Sequence, residues 1–136
     1  MAVTQNKAVS SQALKAKNAI CTAAKTTYND AVGAVKLMDA GPNGSVLYLL
    51  KATPRMTVTA CQLQLYRSPD AGVTLNLIQT QLMGAYTMAA TTQAPSTDFG
   101  YTEAAPLRLA IGDSLWVATG VAFTTGVCFD GTAEDL

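Results

Sequence analysis

In residues 57–66, TVTACQLQLY, apolar Cys61, Leu63 and Leu65 alternate with Gln62 and Gln64. Successive side chains of a strand point to opposite faces, so this period of two predicts a strand with one buried and one wetted face. The turn residues Ser68-Pro69-Asp70-Ala71-Gly72 follow, and VTLNL then sets Val73, Leu75 and Leu77 against Thr74 and Asn76. The two runs predict a hairpin. Beyond Leu77 the apolar parity moves to Ile78 and Leu82, the mark of a bulge or a change of sheet.

The same grammar predicts a second hairpin from 31–38 and 45–51, across the Gly41-Pro42 and Asn43-Gly44 steps. A third joins 106–111 to 114–121 through Gly112-Asp113. The run Val46 to Leu50 is apolar on both faces, as in a strand covered on both sides or lying at a subunit contact. A last run alternates Val121, Phe123, Val127 and Phe129, and an acidic tail, 130–136, ends the chain. The segment 84–106 is long for a structureless loop and should hide a strand or two. About eight strands result, with no helix of consequence: an all-β domain, its strand order open between sandwich and barrel.

Residues 1–19 differ from the rest. They are Ala, Ser, Gln, Asn and Lys with few large apolar groups, and they read as an N-terminal arm ahead of a sandwich domain at 20–136. Ala, Gln, Leu and Lys allow a short helix over 9–17. The arm carries Lys7, Lys15 and Lys17, no acid precedes Asp30, and Asp130, Glu134 and Asp135 crowd the far end. In a symmetric assembly such an arm would lie over the acidic tail, or an acidic surface, of the next subunit. Lys7, Lys15 and Lys17 are therefore candidate arm contacts, while Tyr86, Phe99 and Tyr101 either pack the end of the sandwich or anchor a partner. Trp116, opposite in parity to Leu115 and Val117, faces the second surface; a sugar-binding module would expose it for stacking, and burial there would need a partner subunit.

Composition narrows the chemistry. There is no His, which removes His-based triads and His-ligated metals. Nine Lys and Arg balance nine Asp and Glu in 136 residues, and only 13% of the chain is charged, unlike a nucleic-acid binder. Cys21, Cys61 and Cys128 are odd in number and lack a Cys-x-x-Cys pair, so they read as free thiols rather than a disulfide or zinc framework. No carboxylate pair has acid–base spacing, and Gly41-Pro42-Asn43-Gly44 lacks the Lys-Ser/Thr of a phosphate loop. No run has the length of a membrane span or the apolar core of a secretion signal. The expectation is a protein made in the cytosol that is not an enzyme and takes no cofactor, metal, nucleic acid, membrane or small-molecule substrate.

The opening MAVTQNK, the turn Ala40 to Ser45, Leu50-Lys51-Ala52-Thr53, QLQLYRS, APLRLAIGDSLWVA and the acidic terminus together resemble small β-sandwich virion proteins of tailed bacteriophages, of the capsid decoration (cement) kind. The resemblance runs the length of the chain. It implies a single jelly-roll-like sandwich of about eight antiparallel strands with an extended N-terminal arm. It also implies a homo-oligomer, often a trimer, on the virion, bound to the major capsid protein or another virion protein. A head-fibre or tail-associated binding module for carbohydrate or receptor, and a head–tail connector component, use the same sandwich.

Overall fold

The computed structural model describes residues 13–136, and the part of the arm before Ala13, Lys7 included, lies outside the described residues. Among these residues nine strands form two antiparallel sheets: β1 (Ala13–Cys21), β2 (Val35–Asp39), β3 (Ser45–Pro54), β4 (Cys61–Ser68), β5 (Asn76–Met83), β6 (Thr97–Asp98), β7 (Leu107–Leu109), β8 (Ser114–Thr119) and β9 (Val127–Asp135). One sheet runs β1-β9-β3, with β6 and β7 sharing the far edge of β3; the other runs β2-β8-β4-β5. Only β4 and β5 are consecutive partners, and the remaining connections cross between sheets or run within one without pairing. With β6 and β7 filling one position, this is the eight-position order of a jelly roll.

The β4–β5 hairpin is as the alternation predicts, and its bulge falls at Ile78, which is skipped between the pairs Leu65↔Gln79 and Tyr66↔Leu77. The strand starts at Asn76, however, so Val73 is a loop residue, 80% exposed, while Leu75 is buried and Leu77 turns outward. The other two predicted hairpins are not hairpins. β2 pairs with β8 and β3 with β9, and β7 pairs with β3 while β8 joins β4. Gly41 to Gly44 and the turn closed by the Asp113 N–H on the Ala110 carbonyl are arches from one sheet to the other. A turn signal gives the reversal but not the partner, and burying both Leu37–Met38 and Leu47–Leu50 requires the two strands to face each other across the core.

Two further expectations change. Residues 13–17, compatible with a helix by composition, extend as β1 along β9, because tertiary pairing outweighs a weak propensity. The acidic tail is no tail: β9 continues through Asp135 and pairs with β1 on one side and β3 on the other. The basic and acidic ends thus meet inside one chain. Between the sheets lie Leu47, Leu50, Leu63, Leu65, Leu115, Val117, Val127 and Phe129, all without solvent exposure. The segment 84–106 contains β6, together with a bridge from Tyr86 to Val58.

Candidate interaction surface

Lys15 projects from β1 toward the edge of the facing sheet. Its ammonium donates to the Asp39 carbonyl and lies 2.6 Å from Asp135 Oδ1, which also accepts from Ser45 Oγ at 2.6 Å. Ser45 Oγ in turn accepts the Gly41 N–H at 2.8 Å. A side chain at 41 would enter this knot, since its Cβ would stand 2.6 Å from Asp135 Cγ. Lys15 is therefore a clamp that ties both ends of the chain and the Gly41 arch, rather than a contact offered to another molecule. Lys17 remains exposed on β1, opposite Gly131.

The Lys15 ammonium, and then Ser45, hold the Asp135 carboxyl below its usual 3.8. A carboxylate with a lowered folded pKa stabilises the fold above the unfolded value, and that contribution is lost as pH falls through the folded pKa. Acid titration of unfolding below pH 3.8 is expected to show this loss, and Lys15→Ala is expected to flatten it without altering the profile near neutrality. An unchanged acid slope in Lys15→Ala removes the clamp.

On the outer face of β4 the predicted wet side is roofed. Residues 22–34 fold back over it, and Tyr66, Leu75 and Ala118 form a second, small core with Ala31, Ala34 and Trp116 against them. Lys25 is buried there, its ammonium 2.6 Å from the Asp30 carbonyl, 2.8 Å from the Val32 carbonyl, 3.0 Å from Asp30 Oδ1 and 5.3 Å from the Tyr66 ring centre. Gln64, fully buried, donates to the Lys25 carbonyl at 3.2 Å and accepts from the Tyr66 hydroxyl at 2.5 Å. Burial pushes the Tyr66 phenol up to about 12, and the Lys25 contact holds the Asp30 carboxyl down. Every buried polar group named here has a partner, which is what makes such a roof stable. Alternation alone misses it; the mid-strand Gln64 and the isolated Lys25 in a Thr-rich segment are its only traces.

Trp116 belongs to this roof. It is half-buried, its Nε1–H donates to Ser114 Oγ at 2.9 Å, and the turn at Gly72 (φ 97°) packs on its ring. A Cβ at Gly72 would lie 2.6 Å from Trp116 Cζ2. The chain's own loop, not a partner subunit, supplies the cover. Phe99 is likewise internal, 3% exposed with its ring centre 6.2 Å from that of Phe129, so it is a core residue and no partner contact. Tyr86 and Tyr101 are half-buried against the core, and Tyr86 hydrogen-bonds Thr92. The structure does not gather Lys15, Lys17, Tyr86, Phe99 and Tyr101 into one site.

Among the described residues no comparable loop roofs the β1-β9-β3 sheet. Its outward side presents Val46, Tyr48 and Leu49 of β3, each half-buried, beside Cys128 and Thr132 of β9 and the exposed Leu14 and Ile20 of β1. Charges interrupt it: on the central β9, Glu134 stands between Leu14 and Val46 and Asp130 between Asn18 and Lys51, while Arg108 of β7 pairs with Val46. Partial burial, and then the nearby Glu134 and Glu103, push the Tyr48 phenol up. The outward half of the doubly apolar run at 46–50 is therefore half-buried by the described residues. Among the described residues no three His, Cys, Asp or Glu side chains gather to hold a metal, and no helix is long and apolar enough to cross a membrane. Burial pushes the Cys21 thiol up to about 12, so it is a packing group. No family model, curated protein or solved structure matches this chain.

Proposed function

We propose that the chain is a structural protein of a tailed-bacteriophage virion, a decoration (cement) protein that binds the major capsid protein and stabilises the assembled head. The observation that carries this reading is the inequality of its two outer faces. One is sealed by its own loop through Lys25, while the other, around the half-buried Val46, Tyr48 and Leu49, is partly apolar and carries no such loop among the described residues. A rigid sandwich with one such face is suited to binding by surface complementarity and needs no catalytic group. The virion resemblance and the jelly-roll order, which recurs in capsid proteins, point the same way. The engaged indole of Trp116 speaks against the sugar-stacking alternative.

A protein that binds only the assembled shell stabilises it by mass action, increasingly as its concentration exceeds Kd. Heads heated with excess protein are therefore expected to disrupt at a higher temperature than bare heads. The same amount of a Leu49→Lys variant is expected to give no shift. Equal disruption temperatures for bare and wild-type-treated heads would remove the cement role.

A further inference from the structure

Native sheets guard their edges with charge, proline or brevity, since an unpaired strand is a template for another. Three of the four edges here follow that rule. β1 carries Lys15 and Lys17, β2 carries Lys36 and Asp39, and β6 and β7 are two and three residues long, with Asp98 and Arg108. β5 does not. Its eight residues, NLIQTQLM, contain no charge and no proline, and none of their backbone groups bonds outside the β4 ladder among the described residues.

The strand also shows apolar side chains to solvent: Leu82 is 73% exposed, Leu77 38% and Ile78 37%. Beside them a shallow groove of about 310 Å³ is lined by Leu77, Ile78, Gln79 and Thr80. The bulge at Ile78 reverses parity, so Leu77, paired with Tyr66, and Leu82, paired with Gln62, face the same outer side. Knob and groove thus lie on one strand, on either side of Thr80–Gln81.

We infer that β5 is a self-association edge, and that its occupant is β5 of a second copy. A two-fold axis through Thr80, normal to the sheet, sets the strands antiparallel with Thr80 opposite Thr80 and Leu82 opposite Ile78, and joins the two four-stranded sheets into one of eight. It carries Leu82 of each copy into the groove at Leu77 and Ile78 of the other, so one patch supplies both halves of an isologous contact. Charge agrees with this choice: β5 meets itself without like-charge repulsion, whereas β1 against β1 would bring Lys15 and Lys17 together. The resulting contact is two-fold, unlike the trimer that the virion resemblance implies, and it leaves the Val46–Tyr48–Leu49 face free.

Light scattering on the full chain from about 1 μM to 1 mM is expected to show the mass rising toward twice 14.1 kDa. Leu82→Lys and Ile78→Glu alter exposed side chains and keep the fold. Each is expected to weaken the dimer about tenfold or more, as loss of a central anchor does. An equimolar mixture of the two variants is expected to recover dimer. The mixed pair sets the introduced ammonium of one copy against the introduced carboxylate of the other once, and it keeps one native Leu82–Ile78 contact. A mass of 14.1 kDa throughout, a trimer, or a dimer unmoved by both substitutions overturns the inference. Two monomeric variants whose mixture stays monomeric overturn the Leu82–Ile78 seating.

Discussion

Lys25→Ala is expected to lower the free energy of unfolding by about 2–4 kcal/mol, an unusual cost for removing a lysine. Most lysines keep their ammonium in water, but this side chain is 1% exposed and fills the space between the 22–34 segment and the Tyr66 ring. Truncation leaves a void above Tyr66. It also strips the Asp30 and Val32 carbonyls of their shared donor. The damage is local: the inter-sheet core does not include Lys25, so the sandwich persists while the roof loosens. Denaturant unfolding measures the loss, and proteolysis within 22–34 should quicken before global unfolding. The tryptophan emission should move to the red as Trp116, packed beside Leu75 and Ala118, gains water. Lys25→Arg, longer and forked, is not expected to restore the geometry. A loss under about 0.5 kcal/mol, the range of ordinary surface substitutions, would mean that the roof does not depend on this residue.

Phe99→Ala is expected to cost about 3–5 kcal/mol of stability, with no separate effect on association. The ring is 3% exposed and tilts at 48° against Phe129, where the β5 and β6 ends of the two sheets converge. Its backbone fixes the same corner: the N–H donates to the Leu50 carbonyl at 2.9 Å, and its carbonyl accepts from Gln79 Nε2 at 2.7 Å. Phe99→Leu keeps most of the volume and is expected to recover most of the loss. A Phe99→Ala protein of unchanged stability that no longer bound its partner would return this residue to the surface.

What is legible in the sequence is local. The alternation Cys61-Leu63-Leu65, the bulge at Ile78 and the all-β class each rest on neighbours within a few residues, and the structure has them. Strand partnership is not local. Gly-Pro, Asn-Gly and Gly-Asp steps mark a reversal equally well in a hairpin and in an arch, so the β2–β3 connection at Gly41 to Gly44 and the β7–β8 connection at Gly112-Asp113 read as pairs although they span the core. The roof at Lys25 is hidden because a period-two pattern describes what the sheet needs, not what a distant loop brings to it. Opposite charge at the two ends of the chain sets Lys15 against an acidic terminus in a neighbouring subunit, but the acid it meets is the chain's own Asp135. The doubly apolar run at 46–50 offers two explanations, a strand covered on both sides or a subunit contact; Leu47 and Leu50 face the core, and Val46, Tyr48 and Leu49 are half-buried on the outer side.

Co-sedimentation with assembled empty phage heads tests the virion reading most directly. Increasing amounts of the protein are mixed with a fixed amount of heads and pelleted. The expected result is binding that saturates at a fixed number of copies per capsid subunit and is lost in Leu49→Lys, on the open face, while Leu82→Lys still saturates. Protein that stays in the supernatant at every ratio, or pellets without saturating, would contradict the reading.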